Sequence, residues 1–571
     1  MASTESMRLE LTWPNKDKFL LSPKDETGKP IWVDRSHPAA SEVRLVDFTG
    51  SYGEVAPEAQ RVSDNLLFTG DSLDVLRVLA EHPEFRREYC GKVKCVYIDP
   101  PFNTGQAFHH YDDWLEHSTW LSFMRDRLML IRELLSSDGT VWVHLDDAEA
   151  HRMRCLLDEV FGANNFVAQL AVELNPKGRQ LDRFFAGSND VVLVYASDLR
   201  QASLVCGSSD DVKLSDFPQR TADGLPYRFL PLRNTNKKFN PTTARTMTYP
   251  LYVNQETGEV AADQPPGTAW RVVLPVFGDG TDAVWRWSAK LVRERGAELM
   301  GRQVNGRLGS RLDVFQLDYL GTERTKKLKT IWLSADVGSS DIAKREIKAL
   351  MLSDGITFDT PKPERLMARI IEIATSPGDV VLDVFAGSGT TAAVAHKLGR
   401  RWITGELAQA TVSRFTEPRL RKVVAGKDPG GVSDRGWIGG GGYRTAAVGR
   451  TMYEVADDGT PLLSIHATNG AFARAVAAQL DFDFDEFTRP FCGRRGRMRL
   501  AVLDGAVGPE EVRSITAALS ENERATIVAK VVLPGAEEML ASLSKGSRIR
   551  KAPRDVLADG TRRTRRRETA R

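Results

Sequence analysis

One stretch, "DVVLDVFAGSGTTAAVAHKLGRRWITGEL", constrains the fold more than any other part of this chain. An apolar run, a turn with glycines at Gly387 and Gly389, an apolar helical period and a second strand, "RWITGEL", follow one another without a spacer. A continuous apolar strand needs cover on both faces, and strand–turn–helix–strand with no hairpin signal is the parallel crossover unit. The same rhythm occurs earlier. "NLLFTG" leads into a helix carrying Leu73, Leu76 and Leu79, and "VKCVYI" reads as a buried strand. "WLSFMRDRLMLIRELLSSDG" then reads as a helix closed by Asp138-Gly139, and "TVWVHLDD" as a strand. "AEAHRMRCLLDEVFG" and "DVVLVYAS" continue as helix and strand. The expected class is α/β with a doubly wound sheet.

The rhythm stops near residue 200 and resumes near 336, which sets the expected organisation of the 571 residues. Residues 1–61 read as an N-terminal extension, 62–200 as one half of the α/β domain, and 336–425 as the other half. Residues 201–335 read as an inserted module with a hairpin at Asn254–Gly258. There Lys, Arg, Trp and Tyr are interleaved rather than segregated, which suits a polyanion-facing surface. After a Gly-rich joint, residues 426–544 read as a small C-terminal α/β module and 545–571 as a basic tail. That tail has eleven basic residues against three acidic ones, the pattern of a solvated end with generic affinity for polyanions.

Composition narrows the class further. The chain is 42% apolar and 27% charged, with a net charge of +2, as in ordinary soluble globular proteins. Cys90, Cys95, Cys155, Cys206 and Cys492 are scattered, with no C-x-x-C pair and no neighbouring His cluster. That pattern speaks against a zinc site and a disulfide framework and fits a reducing cytoplasm. No apolar signal core opens the sequence and no run of about 18 apolar residues occurs, so a membrane role is not expected.

Two motifs carry chemistry. In Asp383–Thr391, "DVFAGSGTT", glycines between a strand and a helix let a ligand approach the backbone at the helix N-terminus. A triphosphate-binding loop would need a Lys that is absent. A dinucleotide remains open, because Gly387 to Ala392 satisfies G-x-G-x-x-A and Glu406 ends the next strand, placed for a ribose. S-adenosylmethionine remains open too, since it uses the same Gly turn and acid. The second motif is Asp99-Pro100-Pro101-Phe102, where a buried strand ends. Asp99 can accept a hydrogen bond from an exocyclic amino group. Pro101 has no N–H, which leaves the Pro100 carbonyl free to accept a second one. Phe102 offers a face on which a planar base can stack. Two acceptors aimed at one amino group draw its lone pair out of conjugation, so the nitrogen can attack an electrophile.

Together "DPPF" and "DVFAGSGTT" resemble the amino-group DNA methyltransferases, in the motif order of the class called beta. More closely, "IDPPFNTG", "YPLYVNQETGEV", "WRW" and "FDTPKPERLMARIIEIATSPGDVVLDVFAGSGTT" resemble the modification (Mod) subunits of type III restriction–modification systems, across about residues 62–425. The resemblance implies a circularly permuted, Rossmann-like S-adenosylmethionine-dependent methyltransferase with a target-recognition domain in the insert. It implies Asp99, Pro100, Pro101 and Phe102 as the catalytic loop, with Phe where the family often has Tyr. Asp383, Phe385, Gly387, Gly389 and Thr390 would form the cofactor turn. Glu406 would hold the ribose, Asp71 the adenine side and Lys362 the methionine end. Asp before Pro-Pro leans toward adenine N6 rather than cytosine N4. The implied partners are double-stranded DNA with a flipped-out adenine, a second copy of the chain, and a helicase–nuclease restriction subunit, because this chain carries no P-loop and no acidic nuclease cluster of its own. Arg286, Lys237, Lys238 and Lys290 are candidate DNA contacts in the insert. Cytosine N4, an RNA substrate, a stand-alone adenine enzyme, a DNA-binding regulator and a nicotinamide-dependent oxidoreductase stay as alternatives. The last leaves "DPPF" without a purpose.

Overall fold

In a computed structural model of the protein, ten strands form one sheet. They are β1 (Val46–Gly53), β2 (Asn65–Thr69), β3 (Val93–Ile98), β4 (Leu135–Leu145), β5 (Phe166–Glu173), β6 (Asn189–Ala196), β7 (Ile331–Trp332), β8 (Val380–Asp383), β9 (Arg401–Glu406) and β10 (Gly442–Val448). Across the sheet they run β7-β5-β6-β4-β3-β8-β9-β2-β10-β1. All neighbours from β4 to β10 are parallel, while β6 and β1 lie antiparallel to the strands they flank. The structure describes residues 10–22, 30–35, 37–103, 107–108, 111–112, 116–179, 182–205, 214–306, 309–320, 328–350, 358–432, 436–456, 460–486 and 488–558.

The central strands are apolar because helices cover them. The helices that matter here are α1 (Ser72–Glu81), α2 (His117–Leu134), α3 (Ala150–Leu157), α4 (Glu364–Ala374), α5 (Thr390–Lys397) and α6 (Glu417–Val424). Leu76 and Leu79 of α1 and Leu128 and Ile131 of α2 share one core with Val96 of β3 and Leu382 of β8. Each such side chain, fully buried, stabilises the fold by about 1.5–3 kcal/mol. No described helix is long and apolar enough to cross a membrane.

Several elements depart from the sequence-based expectation. The helix read as closing at Asp138-Gly139 ends at Leu134, because Leu135 already pairs with Val93 of β3 and the chain is drawn into the sheet. Residues 46–53, read as part of an extension, form the edge strand β1. Residues 442–448, read as belonging to the C-terminal module and its Gly-rich start, form β10, held between β2 and β1. The segment 38–45 also docks the C-terminal region: Val43 N–H donates to Gln479 Oε1 at 2.8 Å, and Met452 N–H to Glu42 Oε1 at 2.8 Å. The C-terminal five-stranded sheet has Arg548–Lys551 as a strand, parallel to Arg524–Val532, where the basic tail was expected to begin. Residues 559–571 of that tail lie outside the described residues.

The chain divides into two compact units, Met1–Val205 with Lys329–Arg571, and Cys206–Leu328. The second unit contains a four-stranded and a three-stranded sheet, the latter including the expected hairpin, with Val253 opposite Val260. Two of its tryptophans, Trp285 and Trp287, belong to its core. Trp285 is 1% exposed and donates Nε1–H to the Tyr249 carbonyl at 2.8 Å. Other contacts keep aromatics beside charge: the Arg302 guanidinium lies 4.0 Å from the Phe229 ring centroid and that of Arg228 4.8 Å from Phe217. Lys237 pairs with Asp279 and Lys290 with Glu294, while Arg286 donates to the Pro231 carbonyl and Gln316.

Candidate active site

β3 and β8 are neighbours, yet the chain leaves them in opposite directions across the sheet, toward β4 from one and toward β9 from the other. That reversal opens a crevice at the carboxyl ends of the two strands, the usual ligand position in an open α/β sheet. Asp99 follows β3 directly and Asp383 ends β8. Asp99, Pro100, Pro101 and Phe102 line one wall of a cavity there, and Asp383, Phe385, Gly387 and Thr390 another. Phe358, Thr360 and Lys362, from the segment entering α4, complete it.

The turn after β3 is held at Asp99, Pro101, Phe102 and Asn103. Trp120 of α2 donates Nε1–H to the Pro101 carbonyl at 2.8 Å. Asn103 sits at φ +60 and donates Nδ2–H to the fully buried Glu149 at 2.7 Å. Lys362 donates to Asp99 Oδ2 at 2.5 Å, and its ammonium lies 5.0 Å from the Phe102 ring centroid. Asp99 Oδ1 is buried and has no hydrogen-bond partner among the described residues. One oxygen of this carboxylate is thus occupied and the other is open. Beneath Phe102 lies His144, its ring inclined by only 19° to the phenyl, bonded to Tyr97 OH at 2.9 Å and to Asp190 at 3.0 Å.

The glycine turn is equally specified. Gly387 has φ +50, and a Cβ there would lie 3.3 Å from Phe358 Cζ. Gly387 N–H donates to Glu406 Oε2 at 3.0 Å, while Ala408 N–H donates to Oε1 at 3.0 Å. Gly389 caps α5 at φ +75, where a Cβ would meet Thr416 Cγ2 at 2.9 Å. Behind the turn, Arg419 of α6 donates to Thr390 Oγ1 and to Glu364 Oε1, both at 2.8 Å. Glu364 in turn accepts from Lys397. Both buried cations are paired with Glu364, and Asp428, 2.9 Å from Lys397, supplies the second acid, which is the condition for tolerating them. Burial, with the nearby carboxylates Asp99 and Glu406, pushes the Asp383 carboxyl up to about 7 against the hydrogen bonds it receives.

Nine of the twelve residues singled out in the sequence line this one cavity; Asp71, Gly389 and Glu406 do not. Gly389 and Glu406 shape its turn from behind. Asp71 caps α1, accepting from Leu73 N–H at 2.8 Å, and pairs with the buried Arg127 of α2 at 2.9 Å. Sequence reasoning missed Tyr97, Phe358 and Thr360. Tyr97 stands two residues before Asp99, on the same face of a strand, and that spacing was the available signal.

A family model described as DNA methylase (N6_N4_Mtase) matches residues 93–417. The EcoPI Mod subunit of the type III restriction-modification enzyme of Escherichia phage P1 is 31% identical over 372 residues, covering 59% of this chain and 56% of that protein. The chain therefore spans little more than half the length of that relative. The type II methyltransferase M.KpnI of Klebsiella pneumoniae is 30% identical over 345 residues, 58% of this chain and 76% of its own. The crystal structure of the M1.HpyAVI-SAM complex aligns with 62% of this chain and 98% of that one, at 15% identity and a TM-score of 0.30.

Proposed function

The chain belongs to the DNA methylase family, and from that premise we propose that it transfers the methyl group of S-adenosylmethionine to adenine N6 within a short DNA sequence, as the modification subunit of a type III restriction–modification system. The observation that carries this is the half-engaged carboxylate of Asp99, a residue of the cavity wall: Oδ2 is held by Lys362, and Oδ1 is buried with no hydrogen-bond partner among the described residues.

The residues present fit the cofactor. A side chain at Gly387 would press on Phe358, so the glycine leaves the turn approachable from the cavity that it lines. Phe385, Gly387, Thr390, Asp383 and Lys362 would hold it, with Gly389 and Glu406 shaping the turn and Glu406 proposed for the ribose. Asp71 is proposed for the adenine side. When bound, the cofactor supplies a methyl group on a sulfonium, open to in-line attack.

The chain's own residues act on the other reactant. Asp99 Oδ1 and the Pro100 carbonyl accept one hydrogen bond each from the two amino N–H groups of the target adenine, which draws the nitrogen lone pair out of conjugation with the ring. Phe102, backed by His144, stacks on the base and fixes its plane. Lys362 fixes the rotation of the Asp99 carboxylate so that the open oxygen needs no reorganisation during reaction. Asp rather than a hydroxyl residue at position 99 favours adenine.

The other parts take proposed roles around this site. The catalytic turn precedes the cofactor turn in the chain, consistent with the permuted order of the beta class. The unit Cys206–Leu328 is proposed as the target-recognition domain. Double-stranded DNA with a flipped-out adenine, a second copy of the chain and a separate helicase–nuclease subunit are the proposed partners.

Plasmid DNA from a methylation-free host expressing the protein, sequenced for modified bases beside an Asp99→Ala control, tests this. N6-modified adenine at one short motif, absent from the control, is expected. Modified cytosine would overturn the base assignment, and unmodified DNA the proposed activity.

A further inference from the structure

The loop joining β5 to β6 holds two neighbouring phenylalanines in solvent: Phe184 is 79% and Phe185 91% exposed. This is not slack chain. Asn175 N–H donates to the Ser188 carbonyl, Arg179 N–H to the Gly187 carbonyl, each at 3.0 Å, and Gly187 N–H to Asp182 Oδ2 at 2.8 Å. At Gly178, φ +70, a Cβ would stand 2.6 Å from Ala186 Cβ, so the two arms of the loop are in close contact. A bonded loop that keeps two large apolar rings out of its own core marks an interaction surface.

Its position indicates the partner. β4 is parallel to β3, and β6 is antiparallel to β4 with Val191 opposite Leu145. The loop before β6 therefore leaves the sheet at the same edge as the turn Asp99–Phe102. Its base is tied to that turn, since Asp190 holds His144, and His144 lies under Phe102. Cations outnumber acids along the loop. The Arg183 guanidinium lies 4.9 Å from the Phe184 ring centroid, and Lys177 and Arg179, though paired with Asp341 at 3.0 Å and Asp190 at 4.0 Å, remain 79% and 48% exposed. Aromatic faces set among cations match stacked bases and phosphates better than an apolar protein groove.

Resting on the function proposed above, we infer that Phe184 and Phe185 form a stacking wedge that enters duplex DNA beside the catalytic turn and fills the gap left by the extruded adenine. An amino group inside a duplex is out of reach until the base leaves the stack, and apolar side chains commonly part base steps. The wedge supplies stacking in place of the departed base, so its contribution falls when the target is already unpaired.

The test uses the full chain, a short duplex carrying the motif found by sequencing, and the same duplex with an abasic site opposite the target adenine. The Phe184→Ala/Phe185→Ala variant is expected to lose about 10- to 100-fold in kcat/KM on the paired duplex. On the abasic duplex it is expected within roughly 3-fold of the wild type, since extrusion there costs least. Phe184→Trp/Phe185→Trp, which keeps two stacking faces, is expected to stay near wild type on both, and thermal unfolding of all three proteins is expected to coincide. Unchanged rates on the paired duplex, or equal losses on both duplexes, would overturn the wedge. Unchanged rates with an altered sedimentation profile would make the loop a protein–protein contact instead. A wild-type protein that methylates no DNA overturns the proposed function and the wedge with it.

Discussion

Asp383 is an acid at the end of the sheet's innermost strand, 3% exposed, and burial more than any neighbour raises its carboxyl from 3.8 to about 7. A raised carboxyl favours folding at low pH. Below about 3.8 both states are protonated and the contribution is full. Between about 3.8 and 7 the unfolded chain gives up its proton first and stability falls; above about 7 the loss is complete. Asp383→Asn keeps an acceptor for the Phe385 N–H and removes the charge. It is expected to gain roughly 2–4 kcal/mol over wild type near pH 8 and little near pH 4. Urea unfolding at the two pH values checks this, and a wild-type stability that does not decline across the interval would refute the buried-acid account. At this scale the sequence disclosed much of the cavity lining: Asp99, Phe102, Asp383 and Gly387 lie in strand-end motifs readable one residue at a time. The partner of Asp99 was not readable. Lys362 is 263 positions away in sequence, and only the adjacency of β3 and β8 brings them together.

Helix α5 begins where Gly389 turns the chain through the left-handed region against Thr416. An added methyl meets both a strained φ and a packed neighbour. Gly389→Ala is therefore expected to cost about 1–3 kcal/mol in denaturant unfolding. It is also expected to weaken S-adenosylmethionine binding at least about tenfold by calorimetry, because the Gly387 N–H and Thr390 are fixed by the same turn. Wild-type affinity in a folded variant would show that the turn does not set the pocket. Elements with strong internal patterns were legible: β3 and β8 are apolar runs, and α4 has a clean helical period. β1 and β10 were not, because "VDFTGSYG" and "GYRTAAV" mix glycine with polar residues and become strands only by pairing with each other and with β2. The end of α2 was misjudged for a related reason, since a turn signal at Asp138-Gly139 lost to the pairing of Leu135 with Val93.

For the whole molecule, the sheet is assembled from distant pieces of chain. β1 covers the edge of β10, and Glu42 and Val43 bind Met452 and Gln479. Removing residues 1–53 is therefore expected to lower the unfolding midpoint sharply and reduce soluble yield, whereas loss of a dispensable extension would change neither. Soluble yield and thermal unfolding of the truncated chain decide between them. The same assembly has a consequence during synthesis. β3 emerges early, but β8, which must lie against it at the middle of the sheet, follows roughly 280 residues later, about 15–60 s of translation at ~5–20 residues per second. Through that interval the nascent chain carries an unpaired inner strand edge, a template for wrong partners. Chaperone dependence and sensitivity to expression rate are thus built into the order in which the strands leave the ribosome.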